Sequence, residues 1–368
     1  MRLRQLGEQA LLDWIRKRAG RKEFSGISGG GRGPLLLGIG DDAAVFRVGT
    51  GGKKNKNKKA LATSDMMLEG VHFDLRYQTP YQLGFKLVSV NVSDIYAMGG
   101  QPRLAFFEIG APSETPVEFV KQLFEGVFDA LRVYKAQLAG GDVCASRSGL
   151  VLNMSVIGEG EKIVKRSGAR AGDRLYVTGP LGDSACGLAL LRKIGRPAPI
   201  GKYVPMGKPV STQKKGLPAP SAPPDSPLPW DIMRPLLERH LMPLAKRPPK
   251  NATAMMDISD GLLIDVIRLC KESAVGVKIY EASIPVSPQM RQAAQTLGID
   301  ALALAKTGGE DYELLYTAEA GKEDGGILIG EIIGSGYYMA APSGADKSKS
   351  KSKRKRFRAG GYEHFSDV

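Results

Sequence analysis

The chain has 368 residues, enough for two domains, and its 42% apolar content fits a globular protein with a real core. Its apolar runs fall short of the roughly 20 residues that a membrane-spanning helix needs, so no membrane association is expected. The net charge is +14, yet five lysines between Lys53 and Lys59 and eight basic residues from Lys347 to Arg358 carry nearly all of it. The rest of the chain is close to neutral.

The N-terminal pattern Leu3, Leu6, Ala10, Leu11, Trp14, Ile15 predicts a packed helix ending near Gly20 rather than a targeting segment. Leu35–Gly40 reads as a short strand running into an acidic turn. Ala60–Thr63 reads as a second strand, ending at Ser64-Asp65. From Tyr81 to Met98 the spacing is helical, with Gly99-Gly100 as its stop, and Asn91 and Asp94 share one face. Leu104–Ile109 predicts a strand, Val117–Tyr134 a helix and Leu150–Gly158 a strand. A boundary near Gly160 divides the chain into domains 1–160 and 161–368. Beyond it come a strand over Arg174–Thr178 and a helix over Leu181–Leu191. A Pro/Lys-rich insertion then covers about 196–229, the fold resumes near Trp230, and a helix runs from Gly261 to about Ser273. Lys53–Lys59 and residues 346–358 read as solvated basic loops, because no nucleic-acid motif accompanies either. Three cysteines, Cys144, Cys186 and Cys270, form no disulfide framework and fit a reducing cytoplasm. With only three histidines, a histidine-based metal site is not expected.

Five acidic clusters stand out: Gly40-Asp41-Asp42, Thr63-Ser64-Asp65, Asn91-Val92-Ser93-Asp94, Gly140-Gly141-Asp142 and Asp257-Ile258-Ser259-Asp260-Gly261. Singly, each is ordinary turn or capping chemistry, and Asp260 reads equally as a helix cap. Together they supply hard oxygen ligands in number. Carboxylates gathered in one cleft repel one another unless cations bridge them, and Mg²⁺ is the cation that shares such ligands with phosphates. Phosphoryl transfer is the chemistry this pattern favours. Thr307-Gly308-Gly309-Glu310-Asp311-Tyr312-Glu313 sets three acids around a glycine pair, and Glu69-Gly70-Val71-His72-Phe73 places an imidazole after a turn. No Gly-x-x-x-x-Gly-Lys loop is present, so a common P-loop enzyme is excluded.

These motifs, with Arg166-Ser167-Gly168-Ala169 and Gly361-Tyr362-Glu363-His364-Phe365, resemble the thiamine-monophosphate kinase family. That family sits in the superfamily of aminoimidazole ribonucleotide synthetase and selenophosphate synthetase. The resemblance implies an α/β (α+β) fold of two domains: an N-terminal domain that dimerises through its sheet, and a C-terminal α/β domain. It implies ATP-dependent conversion of thiamine monophosphate to thiamine diphosphate, the last step of that biosynthesis. Several Mg²⁺ ions would be held by Asp42, Thr63, Ser64, Asp65, Asp94, Asp142, Asp257 and Asp260. Gly141, Asp142, Arg166 and Ser259 would bind ATP, and His72, Glu310 and Tyr362 the thiamine moiety. No residue is expected to serve as general base, and Asp94, Asp142 and Asp260 are expected to matter most. One departure is Val143-Cys144, where the family has Thr after Gly-Gly-Asp. The alternatives are another ATP-dependent synthetase of the superfamily or, in a different class, a nucleic-acid-binding protein using the basic runs.

Overall fold

The computed structural model describes residues 3–19, 35–47, 58–198, 200, 226–322, 324–340, 354–362 and 364. Most of the basic loop at 53–59, most of the 196–229 stretch and residues 346–353 therefore lie outside the described residues.

Two sheets organise the chain. The first holds β1 (Leu35–Leu37), β2 (Ala44–Arg47), β3 (Lys59–Leu68), β4 (Gln101–Ala111), β5 (Gln137–Ala145) and β6 (Val151–Gly160), in the order β1-β2-β3-β6-β4-β5. Only β4 and β5 pair in parallel; the other neighbours are antiparallel. One face, carrying Leu61, Ala105, Phe107, Leu152 and Met154, is buried. It packs under α3 (Pro80–Ala97), which in turn packs against α4 (Val117–Tyr134). The opposite face carries Ser64 and Met66, both exposed.

Helix α3 is the central element. Thr79 and Gln82 form a reciprocal capping box and Pro80 occupies the first turn, which fixes its start. Nearly every residue is buried, because α3 lies against β3 and β6 on one side, α4 on another and β8 (Ala254–Asp257) beyond. Gly84 and Gly126 permit the α3–α4 contact: a Cβ on either would stand 2.0 Å from a carbonyl oxygen of the other helix.

The second sheet is ordered β13-β12-β9-β11-β7-β10-β8. Its remaining strands are β7 (Arg174–Val177), β9 (Gly276–Tyr280), β10 (Leu314–Ala318), β11 (Ile327–Ile333), β12 (Tyr337–Ala340) and β13 (Arg354–Arg356). Around it lie α5 (Asp183–Ile194), α6 (Trp230–Leu241), α7 (Leu262–Glu272), α8 (Pro288–Leu297) and α9 (Ala301–Thr307). Among the described residues no helix is long and apolar enough to cross a membrane.

Five expectations change. The basic runs are not wholly loops: Lys59 begins β3, and Arg354–Arg356 form β13, paired with β12. The N-terminal helix is two pieces, α1 (Leu3–Leu6) and α2 (Glu8–Ala19), because Gly7 turns the chain at a φ of 78°. Trp14 on it is 62% exposed, so its aromatic is not core. Thr63-Ser64-Asp65 does not end a strand: β3 continues three residues further, paired throughout with β6. Gly140-Gly141-Asp142 is no turn either, but lies inside the edge strand β5. A Cβ on Gly141 would fall 1.8 Å from the Phe107 carbonyl of β4, so glycine here serves close strand approach. The 196–229 stretch also begins inside the core, with Ala198 buried and the Ile200 carbonyl accepting a bond from Gln82.

Candidate active site

A cleft of about 900 Å³ runs between the two sheets, with Asp65, Asp94, Asp257 and Asp260 among its lining residues. Asp65 projects from β3 onto the buried face, on the same side as Thr63. Asp94 lies in the last turn of α3, and Asp257 ends β8. Oxygens of Asp42, Asp94 and Asp257 lie within 4.8 Å of one another. Each is anchored by one donor. Thr63 Oγ1 donates to Asp94 at 2.5 Å, Ser93 Oγ to Asp257 at 2.6 Å, and the Arg166 guanidinium to Asp42 at 2.5 Å. The Arg166 backbone N–H also donates to Asp41.

These anchors leave the group short of positive charge. Burial, then the Asp65, Asp257 and Asp42 charges, push the Asp94 carboxyl well above the usual carboxylate range. Burial and the Asp42 charge do the same to Asp257, against the Ser93 hydrogen bond. Asp65 is pushed up to about 6 by burial, with Asp260 and Asp42 adding to it. Asp42 Oδ2 is buried with no hydrogen-bond partner. An orphaned oxygen among three converging carboxylates fits a divalent cation with a preference for hard oxygen ligands.

Asp260 does not cap α7. Gly261 is the cap residue and makes no side-chain bond. Asp265 reaches back from the first turn instead, accepting from the Asp260 and Gly261 N–H groups. Arg268 holds Asp260 and Asp265 together. Asp260 thereby stays aimed at the cleft, and Ser259 lines it as well.

Two of the expected ligands point elsewhere. Ser64 faces the exposed side of the sheet, where it meets Asn153 at 3.3 Å and Ser155 at 3.0 Å. Its neighbours in the strand alternate with it, so its hydroxyl cannot join Thr63 and Asp65. Gly141 and Asp142 are exposed on β5, and Asp142 Oδ1 accepts from the Val143 N–H next to it. Neither is among the residues lining the cleft.

His72, Glu310 and Tyr362 line the same cleft. His72 Nδ1 accepts from the Leu68 N–H at 3.1 Å, and burial lowers the ring's pKa. The three acids of the Gly-Gly-Glu-Asp-Tyr-Glu segment have separate tasks. Asp311 accepts from the Gly182 and Ser184 N–H groups and so secures the start of α5. Glu313 is fully buried against Arg239 and Lys246. Glu310 alone faces the cleft. Tyr362 is placed by its N–H donating to the Asp260 carbonyl.

Lys86 and His240 also line the cleft, and sequence reasoning missed both. Lys86 is wholly buried with its ammonium 2.8 Å from Glu310 Oε1. His240 Nδ1 lies 3.3 Å from Oε2 of the same carboxylate. Burial raises Glu310, but Lys86 and then His240 outweigh it and leave its carboxyl below the usual range. A signal for Lys86 did exist: it, Val90 and Asp94 recur every four residues, along one side of the helix. At 1.5 Å per residue, Lys86 and Asp94 stand about 12 Å apart along α3.

Residues 40–159 match the family described as AIR synthase related protein, N-terminal domain, which places the first sheet and its acidic clusters in that class. A thiamine-monophosphate kinase from Aquifex aeolicus is 34% identical over 322 residues, covering 86% of this chain and 87% of its own. One from Corynebacterium glutamicum is 34% identical over 80% of each chain. The solved structure of AaThiL complexed with AMPPCP and TMP superposes with a TM-score of 0.76 at 30% identity, covering 99% of both chains. The chain belongs to the thiamine-monophosphate kinase family.

Proposed function

We propose that the protein transfers the γ-phosphoryl group of ATP to thiamine monophosphate, giving thiamine diphosphate and ADP. The observation that carries this reading is the arrangement along α3. An acidic group suited to cation-bound phosphates includes Asp94, and about 12 Å back along the same helix Lys86 pairs with Glu310, a carboxylate suited to a nitrogen heterocycle. Relatives carrying this activity in their names span most of the chain, which supports the same substrates here.

An acceptor phosphate oxygen forms the new P–O bond as the bond from the γ-phosphorus to the β–γ bridging oxygen breaks, and ADP leaves. The acceptor is already an anion, so no general base and no phosphoenzyme are needed. The difficulty is bringing two polyanions into line. Asp42, Asp65, Asp94 and Asp257 would hold divalent cations, with Thr63 and Ser93 fixing the rotamers of Asp94 and Asp257. When bound, Mg²⁺ supplies the positive charge that neutralises both phosphate groups. Arg166 adds fixed positive charge beside Asp42, Ser259 and Asp260 border the nucleotide, and Tyr362 presents an exposed ring to the cationic thiazolium.

The two sheets are read as two domains divided near Gly160, and the functional unit as a homodimer. Supporting the dimer, β5 is an edge strand, and Met66 and Val143 are 51% and 73% exposed in the first sheet. Asp142 and Gly141 on that edge would reach nucleotide only in such an assembly. Sedimentation at micromolar concentration checks it; a monomer that retains full activity contradicts it. All three cysteines are free, which fits a reducing compartment such as the cytoplasm.

Chromatography of a reaction with ATP, Mg²⁺ and thiamine monophosphate, with Asp94→Asn alongside, tests the function. Thiamine diphosphate and ADP should form in equal amounts, and the variant should lose on the order of 100-fold or more. Folded wild-type protein that makes neither would overturn the reading.

A further inference from the structure

The Glu310 carboxylate is held more elaborately than a simple ligand contact needs. Its backbone sits at a φ of 62°, a conformation that non-glycine residues rarely adopt. Two backbone bonds fix it there: the Glu310 N–H donates to the Ser259 carbonyl at 2.6 Å, and the Tyr312 N–H donates to the Ile258 carbonyl at 2.9 Å. Each carboxylate oxygen then has its own neighbour, Lys86 on Oε1 and His240 on Oε2. Ser184 Oγ lies 3.1 Å from the same His240 nitrogen. A carboxylate only accepts, so His240 can serve it only in the tautomer that carries the proton on Nδ1. Burial drives His240 down to about 3, which keeps the ring neutral. An ammonium as buried as Lys86 is tolerated only beside a fixed anion.

We propose that Lys86, His240 and Ser184 are positioning residues that hold Glu310 as one oriented acceptor for the N–H-bearing heterocycle of the substrate. This deepens the functional reading above and rests on it. Lys86 and His240 do not receive the substrate themselves; they act through Glu310. Lys86 offsets its charge, so Glu310 works as a directed hydrogen-bond acceptor more than as a bare counter-ion. The 29% of the Glu310 side chain that remains exposed opens onto the cleft that His72 and Tyr362 also line.

The test is a double-mutant cycle on the intact protein with Lys86→Met, Glu310→Gln and the double variant. Steady-state kinetics give kcat and KM for both substrates. Each single change should raise KM for thiamine monophosphate about tenfold or more while leaving KM for ATP and kcat within about threefold. The double variant should be no worse than the poorer single, because both remove the same unit. It should also melt above Glu310→Gln, which leaves a buried ammonium alone. A second arm uses His240: Leu in its place should raise the same KM more than Gln, which keeps a donor. Losses that multiply in the double variant, or that fall equally on both KM values and kcat, would overturn the inference and leave the kinase reading intact. Wild-type protein that neither turns over nor binds thiamine monophosphate by calorimetry would overturn the functional reading and the inference with it.

Discussion

The two halves of the cleft handle buried charge in opposite ways. Around Asp94, the carboxylates of Asp42 and Asp257 converge, Asp65 adds its charge, and the Arg166 guanidinium is hydrogen-bonded to Asp42. The carboxyl groups of Asp65, Asp94 and Asp257 are pushed upward by burial and by neighbouring carboxylates, and one buried oxygen of Asp42 has no partner. Around Glu310, one carboxylate faces one ammonium and one neutral imidazole, and its carboxyl is held below the usual range. In the function proposed above, the first half would be completed by cations from solution, which can arrive and leave with phosphates. In the second, the countercharge to the carboxylate comes from the chain itself, through Lys86. Mobile charge suits the reacting end; preset charge suits recognition.

The sharpest way to break this contrast is Arg166→Met. It removes the cation that holds Asp42 and leaves that carboxylate buried and unpaired. Denaturation without divalent cations should show a loss of about 3–5 kcal/mol, and added Mg²⁺ should restore more stability to the variant than to wild type. Equal responses to Mg²⁺ would mean that the acidic half is not short of positive charge.

The recognition half is probed by pH. His240 sits at about 3 in the folded protein, below its ordinary value near 6.5. Below pH 6.5 the unfolded chain gains a proton there that the folded chain refuses, so stability falls as pH is lowered toward 3. Relative to His240→Asn, the wild type should lose up to about 1.4 kcal/mol per pH unit over that window. The difference between the two proteins is the useful readout, because buried acids act in the opposite sense. Asp311, for example, is pushed up to about 7 by burial. Parallel pH curves would show that His240 titrates freely.

The smallest expected effect separates neighbours within one strand. Ser64→Ala should change stability by no more than about 0.5 kcal/mol and kcat/KM by less than about twofold, since its hydroxyl faces away from the cleft. Thr63→Ala removes the donor on Asp94 and should cost about tenfold in kcat/KM. Equal effects would show that both hydroxyls serve the acidic half.

By itself, the sequence determined the chemistry and much of the scaffold. The α4 boundaries matched residue for residue, and α3 matched to within a residue at each end, because long helices advertise themselves through periodicity and, for α3, the Gly99-Gly100 stop. The acidic motifs named Asp42, Asp94 and Asp257 in advance, because hard-ligand residue types are legible one letter at a time. Tertiary structure alone decided which way each side chain counts. Thr63-Ser64-Asp65 looked like a strand-end ligand set, but β3 runs on, and a period of two sends Ser64 to the other face. Asp260 read as a helix cap until Asp265 took that task and released it to the cleft. Lys86 looked like one charge in an apolar helix, and Glu310 like one acid among three. Their pairing joins an element of the first sheet to a loop of the second. Local propensity extends over a few residues, whereas a buried charge is settled by whatever partner the whole fold brings to it.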